Sequence, residues 1–182
     1  MAKAIQQKLD GIEKLRLTHG GEAWPGKRKA ERPITTKRAM HLVLRSSHAK
    51  QEWSFLHPKH AAFVREVIVR LAKRFGVIVY NVANAGNHIH MLARPRSRDA
   101  LRGFLAALSG RLAQRITGAR RGNPLGYPFF DFIPFSRIVQ WGRDFHHALD
   151  YITQNTREAL GIVPFKQRKR KPPPPARKNA PS

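Results

Sequence analysis

The stretch VIVYNVANAGNHIHMLAR, residues 77–94, contains two β-rich runs with turn residues between them. Residues 77–83 are mostly β-branched, aromatic or small, and residues 88–94 form a second run. The intervening Asn-Ala-Gly-Asn, residues 84–87, has the composition of a tight turn. The stretch therefore predicts an antiparallel β-hairpin, and the other elements are predicted before and after it.

Two elements are predicted before this hairpin. Residues 37–47, KRAMHLVLRSS, alternate side chains in the manner of a strand with one buried face. A helix then begins at Pro58, a residue type that suits the first helical position, and continues to Phe75. Gly76 ends that helix, because glycine tolerates the left-handed conformation of a helix C-terminus.

Three elements are predicted after the hairpin. Residues 98–117 and 143–160 keep apolar side chains on one helical face. Between these helices, residues 129–140, FFDFIPFSRIVQ, are predicted to form a strand that Pro134 restricts to an edge or a bulge. The order strand, helix, hairpin, helix, strand, helix predicts an α+β fold in which helices flank an antiparallel sheet. A ferredoxin-like arrangement is the version that this order favours.

The composition narrows the classes of function. The 182 residues include 35 Lys and Arg against 11 Asp and Glu, which gives a formal net charge of +24 and favours a nucleic-acid partner. The chain has no cysteine, which excludes a disulfide scaffold, a thiolate zinc site and a thiol nucleophile. No apolar run approaches the roughly 18 residues of a membrane span. The N-terminus lacks the pattern of a signal peptide, so we expect a cytoplasmic, nucleoid-associated protein with no membrane partner.

The same composition divides the chain into three parts. Residues 1–36 are polar and basic and are predicted to be an N-terminal arm. Residues 37–163 contain the patterned elements and are predicted to be the folded domain. Residues 164–182 are basic and rich in proline, which predicts a disordered tail.

The His88-Ile89-His90 element is the first sign of chemistry. Positions two apart on a strand point to the same face, so the two imidazoles would form a two-point clamp for a metal ion. The alternative is a pair of unrelated histidines in a chain that has nine. The following residues, Met91 and Leu92, do not fit a histidine-triad hydrolase or an HxHxDH metallohydrolase, so the clamp lacks at least one ligand.

The last helix carries the second sign. Tyr151 lies off the apolar face, with His147 one turn before it and Asn155 one turn after it. The simpler interpretation is that Tyr151 lies at the edge of an amphipathic helix and has no catalytic role. However, a metal held by two imidazoles and an amide oxygen would polarise a phosphate, which the tyrosine hydroxyl could then attack. Such an ester conserves the energy of the phosphodiester bond and therefore suits strand exchange.

At these residues the sequence resembles the single-tyrosine HUH transposases, whose relatives include the REP-associated tyrosine transposases. The resemblance covers about residues 35–163 and depends on the hairpin together with HHALDYITQNTREALG, residues 146–161. It implies a ferredoxin-like HUH domain in which His88 and His90 bind Mg²⁺ or Mn²⁺. Asn155, or its neighbour Gln154, would be the third ligand.

The resemblance also implies an activity. Tyr151 would cleave single-stranded DNA, form a 5′-phosphotyrosine and release a 3′-hydroxyl that can rejoin strands. Folded hairpin ends are the usual target of the family, and relatives place the tyrosine in the same chain or in the partner of a homodimer. His147 is a candidate acid or base by position alone. The candidate DNA contacts are Arg94, Arg96, Arg98, Arg102, Arg111, Arg115, Arg120 and Arg121.

Two other functions explain part of the sequence. A catalytically inactive relic of a transposase would act as a structured DNA- or RNA-binding protein. A basic ribosome-associated protein would explain the charge and the tail, but not the combination of His88, His90, Tyr151 and Asn155.

Overall fold

The computed structural model describes residues 17–21 and 31–165 of the chain. Most of the predicted arm and of the predicted tail lies outside the described residues. The elements are the strands β1 (Thr18–His19), β2 (Ala39–Arg45), β3 (Val77–Asn84), β4 (His88–Pro95) and β5 (Phe135–Val139), the helices α1 (Pro58–Phe75), α2 (Arg98–Thr117) and α3 (Arg143–Ala159), and a 3₁₀ turn at Gln51–Trp53.

The five strands form one antiparallel sheet in the order β1-β5-β2-β4-β3. Without the two-residue β1, the remaining strands are the fourth, first, third and second in chain order. This arrangement, joined as strand-helix-strand-strand-helix-strand, is the ferredoxin-like fold that the sequence predicts. The α+β prediction is therefore confirmed, including the hairpin of β3 and β4, in which β3 forms one edge of the sheet.

Local signals set the ends of the first two helices. Pro58 is the first residue of α1, and Gly76 ends it at φ 67° in the left-handed region. Ser97 caps α2, because its side chain accepts a hydrogen bond from the backbone N–H of Ala100. The observed limits of both helices match those predicted from the sequence.

Helices α1 and α2 cover one face of the sheet and bury the larger core. On the strands, Leu42 and Ile89 are fully buried in this core, and Phe104 of α2 is fully buried among them. Removing large apolar side chains from water is the main source of stability in a domain of this size. This face of the sheet therefore contains the larger part of the buried apolar surface that stabilises the fold.

Helix α3 covers part of the opposite face. Its Ala148 and Ile152 pack on small residues of the strands, including Ala39 and Ala83. Two polar contacts hold the helix in place as well. The guanidinium of Arg137 on β5 donates to the Asp144 carboxylate at 2.9 Å, and the Asn81 amide on β3 donates to the Thr153 hydroxyl at 3.1 Å.

Two strands differ from the sequence-based expectation or extend it. β1 adds a strand from the predicted arm to the sheet edge, where it pairs with β5. The strand predicted within 129–140 begins only at Phe135, directly after Pro134, and Phe129 is buried in the core instead. Within residues 17–21 and 31–165, no helix has both the length and the apolarity needed to cross a bilayer.

Candidate active site

The two histidines of the His-x-His element lie side by side on β4, on the face of the sheet that α3 partly covers. Their ring centroids are 4.7 Å apart. Ile89, between them, points to the opposite face and is buried in the larger core. The strand alternation that the sequence predicted is therefore observed, and His88 and His90 form one cluster.

Each of these imidazoles is held at its Nδ1 atom. Nδ1 of His88 donates to the side-chain oxygen of Asn87 at 2.6 Å. Nδ1 of His90 lies 3.1 Å from Nε2 of His41. Such partners fix the orientation of an imidazole and leave Nε2 as the nitrogen that would bind a metal. Burial, and after it the charge of Arg45, lowers the pKa of His88 and so favours the neutral, ligating form.

His41 belongs to the cluster, although the sequence analysis did not assign it a role. Its ring is stacked on that of His90 with centroids 5.3 Å apart. Burial, and after it the charge of Arg137, lowers the pKa of His41 to about 4, so its imidazole is neutral at pH 7. The available signal was its position on β2, where it alternates with Met40 and Leu42 and so faces away from the larger core.

Tyr151 of α3 lies directly against these imidazoles. The centroid of its ring is 5.5 Å from that of His90 and 5.7 Å from that of His41. The tyrosine is 36% exposed, so its side chain is also accessible from solvent. Within one chain, the ring of Tyr151 therefore lies next to the imidazoles of His90 and His41.

The other predicted residues of α3 occupy different positions. Asn155 is buried on the inner face of the helix and donates its amide N–H to the Tyr151 carbonyl at 2.7 Å. Its Oδ1 is the atom that would bind a metal. Gln154 instead donates to the Glu158 carboxylate at 3.1 Å, and His147 is exposed on the outer side of α3.

The set of donors fits a divalent cation of the borderline type. Among the described residues, no group of three His, Asp or Glu side chains could hold a metal. A third protein ligand near His88 and His90 would therefore be a neutral donor, and the Asn155 amide has the appropriate chemistry. Imidazole and amide oxygen together suit Mn²⁺, Zn²⁺ and related ions, and tolerate Mg²⁺.

The predicted arginines do not form one surface. Arg94 shares the face of the cluster and donates to the Tyr80 hydroxyl at 3.1 Å. Arg98 makes an ion pair with Glu31 at 2.6 Å. Arg111 and Arg115 lie on α2, which covers the opposite face of the sheet. The other predicted arginines are exposed in the structure: Arg96, Arg102, Arg120 and Arg121.

Two further arginines lie on the face of the cluster and were missed. Arg45 on β2 is opposite His88 in the strand register, and Arg137 on β5 is opposite His41. Both alternate with core residues on their own strands, which is the signal that would have identified them. The positive charges of Arg45 on β2 and of Arg137 on β5 therefore lie next to the histidines.

Comparisons with known proteins give only remote similarities. No family model and no curated protein matches the chain. Among solved structures, a candidate transposase from Deinococcus radiodurans R1 is similar at 13% identity and a TM-score of 0.43, over 70% of this chain and 97% of the other. A REP-associated tyrosine transposase bound to a REP hairpin is similar at 13% identity and a TM-score of 0.48, over 74% of this chain and 75% of the other. The second structure is a member of the group that the sequence resembles.

Proposed function

We propose that the chain is a DNA strand transferase of the transposase type, which cleaves and rejoins single-stranded DNA through Tyr151. The observation that carries this proposal is the contact between Tyr151 and the imidazoles of His90 and His41. A hydroxyl nucleophile beside a histidine clamp is the combination that a phosphotyrosine mechanism requires.

In the proposed step, the phenol oxygen of Tyr151 forms a bond to the phosphorus of a DNA phosphodiester. The bond from that phosphorus to the 3′ oxygen breaks at the same time. The phenol loses its proton and the departing 3′ oxygen gains one, so that the products are a 5′-phosphotyrosine and a 3′-hydroxyl. Because the phosphoester is retained, a 3′-hydroxyl can reverse the step and join two strands.

His88, His90 and Asn155 would hold the divalent metal, Mg²⁺ or Mn²⁺. When bound, the metal would polarise a phosphate oxygen and stabilise the charge that develops there. The chain's own contribution is orientation. Asn87 and His41 hold the two imidazoles at Nδ1, and the Arg137–Asp144 and Asn81–Thr153 contacts hold the helix that carries Tyr151.

Single-stranded DNA is the proposed substrate because the molecule is strongly cationic and the cluster lies on a partly open sheet face. The formal net charge of +24 supports binding to a phosphate backbone. The resemblance to REP-associated tyrosine transposases points to hairpin ends as the target. The tyrosine could act within one chain, as its position beside His90 supports, and a homodimer stays a prediction.

A covalent-adduct assay tests the proposal. Purified protein is incubated with a pool of labelled single-stranded hairpin oligonucleotides and Mn²⁺, and the products are separated on a denaturing gel. We expect a protein–DNA adduct that requires metal and is absent from Tyr151→Phe. Tyr127→Phe is the matched control, since Tyr127 is also exposed and lies in a loop, where its ring packs on His48.

A native gel run beside the denaturing gel separates the proposal from its main alternative. An inactive relic that only binds nucleic acid would shift the oligonucleotides on a native gel equally in the wild type and in Tyr151→Phe. It would give no adduct on the denaturing gel with either protein. That pair of results would contradict the enzymatic function.

A further inference from the structure

One part of the sheet face that carries the histidine cluster extends beyond α3. The helix packs on Ala39, Leu92 and Val139 at one end of this face. Toward the other end, Val43 on β2 and Phe135 on β5 belong to the same face by strand alternation, and both are only half-buried. The described part of the chain therefore leaves an apolar area beside the cluster.

A small cavity occupies this area. Its volume is about 180 Å³. A flat ring system fits such a space, whereas a helix or a folded protein segment does not. The lining residues are Gly21, Val43, Arg45, Phe132, Ile133 and Phe135.

The strand register puts the cavity next to the proposed metal clamp. His90, Val43 and Phe135 lie opposite one another on β4, β2 and β5. Neighbouring strands are about 4.8 Å apart, so the cavity wall begins one strand away from His90. The ring of Phe135 also lies 6.3 Å from that of His41, centroid to centroid. A ligand whose phosphate reached the histidines could therefore extend directly into the cavity.

The chemistry of the walls suits a nucleobase. Phe132, Ile133, Phe135 and Val43 provide apolar and aromatic surface, and two of these residues are well exposed, Phe132 at 38% and Ile133 at 56%. Arg45 adds a guanidinium at the rim, with its Nε 3.5 Å from the Asp131 carboxylate. Apolar surface for a base beside positive charge for its phosphate is the usual construction of a single-strand binding site.

A segment of the predicted arm forms one wall. Gly21 has a φ of +71°, and a Cβ atom there would lie 3.2 Å from the Cβ of Phe135. Its N–H donates to the Ile133 carbonyl at 3.1 Å. Glycine is therefore needed at this position both for the conformation and for the close approach to the cavity.

We propose that this cavity binds one unpaired base of the DNA strand, that of a nucleotide next to the phosphate that Tyr151 attacks. The proposal rests on the proposed function and extends it by assigning a subsite for base recognition. Bound there, the base would fix the register of the strand relative to the histidine clamp. The cavity would thus contribute to the choice of the phosphate that is cleaved.

Binding measured without chemistry tests the subsite directly. Tyr151→Phe protein is mixed, in Mg²⁺, with hairpin oligonucleotides whose single-stranded flanks carry 2-aminopurine at one position at a time. We expect the fluorescence of one position to change on binding, and an abasic nucleotide at that position to weaken binding roughly tenfold. Adding Phe132→Ala or Ile133→Glu should remove both effects. Tyr127→Ala, an exposed aromatic outside the cavity, should keep them.

The outcomes separate the subsite from the proposed activity. If Phe132→Ala and Ile133→Glu leave both the fluorescence profile and the abasic penalty unchanged, the subsite is wrong. If wild-type protein forms the adduct equally well on intact and abasic strands at every flanking position, the activity stands and the subsite is again wrong. If no adduct forms but base-dependent binding is lost in Phe132→Ala, the cavity binds a base and the proposed activity fails.

Discussion

The two faces of the sheet are built from the same strands, but they differ in what covers them. One face carries large apolar residues such as Leu42 and Ile89, which α1 and α2 bury completely. The other carries small residues such as Ala39 and Ala83 under α3, and imidazoles beyond them. Small residues allow α3 to approach the sheet closely, which brings Tyr151 against His90.

This difference indicates that one face of the sheet contributes mainly to stability and the other mainly to activity. The face under α1 and α2 should supply most of the stability, because it holds most of the large buried side chains. The face under α3 should supply the chemistry at some cost in stability, because polar groups there replace apolar contacts. Substitutions on the two faces should therefore have separable effects on folding and on activity.

The largest expected effect is the loss of the histidine clamp. His88→Ala or His90→Ala should lower the rate of adduct formation by about a thousandfold, which corresponds to the several kcal/mol that a metal contributes. The variants should remain folded by circular dichroism, since neither removes large apolar packing. Adduct rates in Mn²⁺ and calorimetric metal titration provide the measurement.

His48→Ala is the matched control, because His48 is exposed on a loop. Normal adduct formation by either clamp variant would show that the chemistry does not depend on this face.

On the opposite face, Phe104→Ala should lower the free energy of unfolding by about 3–5 kcal/mol, since it leaves a cavity in the core. Phe104 is fully buried, whereas Val69 on α1 is 65% exposed. Val69→Ala should therefore change stability by less than about 0.5 kcal/mol. Chemical denaturation measures both. Equal losses in the two variants would contradict the assignment of stability to this core.

His41 should affect metal binding more than folding. Removing a partner that orients a metal-binding imidazole lowers metal affinity about 10–100-fold, and we expect that loss in His41→Ala. His41→Gln, whose side-chain oxygen can accept from Nδ1 of His90, should restore part of it. Calorimetric titration with Mn²⁺ gives the affinities. If both variants lose stability but keep the wild-type metal affinity, His41 has a purely structural role.

A smaller effect is expected from the contact that holds α3. Burial raises the pKa of the Asp144 carboxyl, but the hydrogen bond from Gln140 N and the interaction with Arg137 outweigh it and lower the pKa below its ordinary 3.8. Because the folded state favours the charged carboxylate, the contact stabilises the protein at pH values above the pKa of the unfolded state. This stability is lost as the pH falls through the pKa of the folded state.

Asp144→Asn should therefore lower the free energy of unfolding by about 1 kcal/mol at neutral pH. The difference from wild type should shrink at acid pH, as the pH falls below the ordinary carboxyl pKa of 3.8. Urea titrations at both pH values measure it. A difference that is constant with pH would show that the carboxylate charge is not the cause.

The smallest effect is expected far from both faces of the sheet. Arg70 and Glu66 form an exposed ion pair on α1 at 3.2 Å, with both side chains more than half exposed. Glu66→Gln should change the free energy of unfolding by about 0.3–0.5 kcal/mol, because water screens such pairs. It should leave adduct formation unchanged. A loss above about 1 kcal/mol would show that α1 depends on surface charge more than on its buried side.

Much of the fold could be predicted because its signals are local. Pro58 and Gly76 set the ends of α1, and the apolar spacing of 98–117 gave the limits of α2. The same reasoning put His88 and His90 on one side of a strand. Prediction was weaker for 129–140, where Pro134 delays the strand and the preceding Phe129 is drawn into the core.

Local sequence patterns are sufficient to assign residues to elements and to their faces, such as the His-x-His pair to one face of β4 and Tyr151 to the edge of its helix. Which of these residues come into contact depends on how distant elements pack together. His41 is 49 residues from His90 in the chain, and β2–β4 pairing brings them to 3.1 Å. Pairing between distant strands is selected by the packing of the whole sheet, which no local pattern encodes.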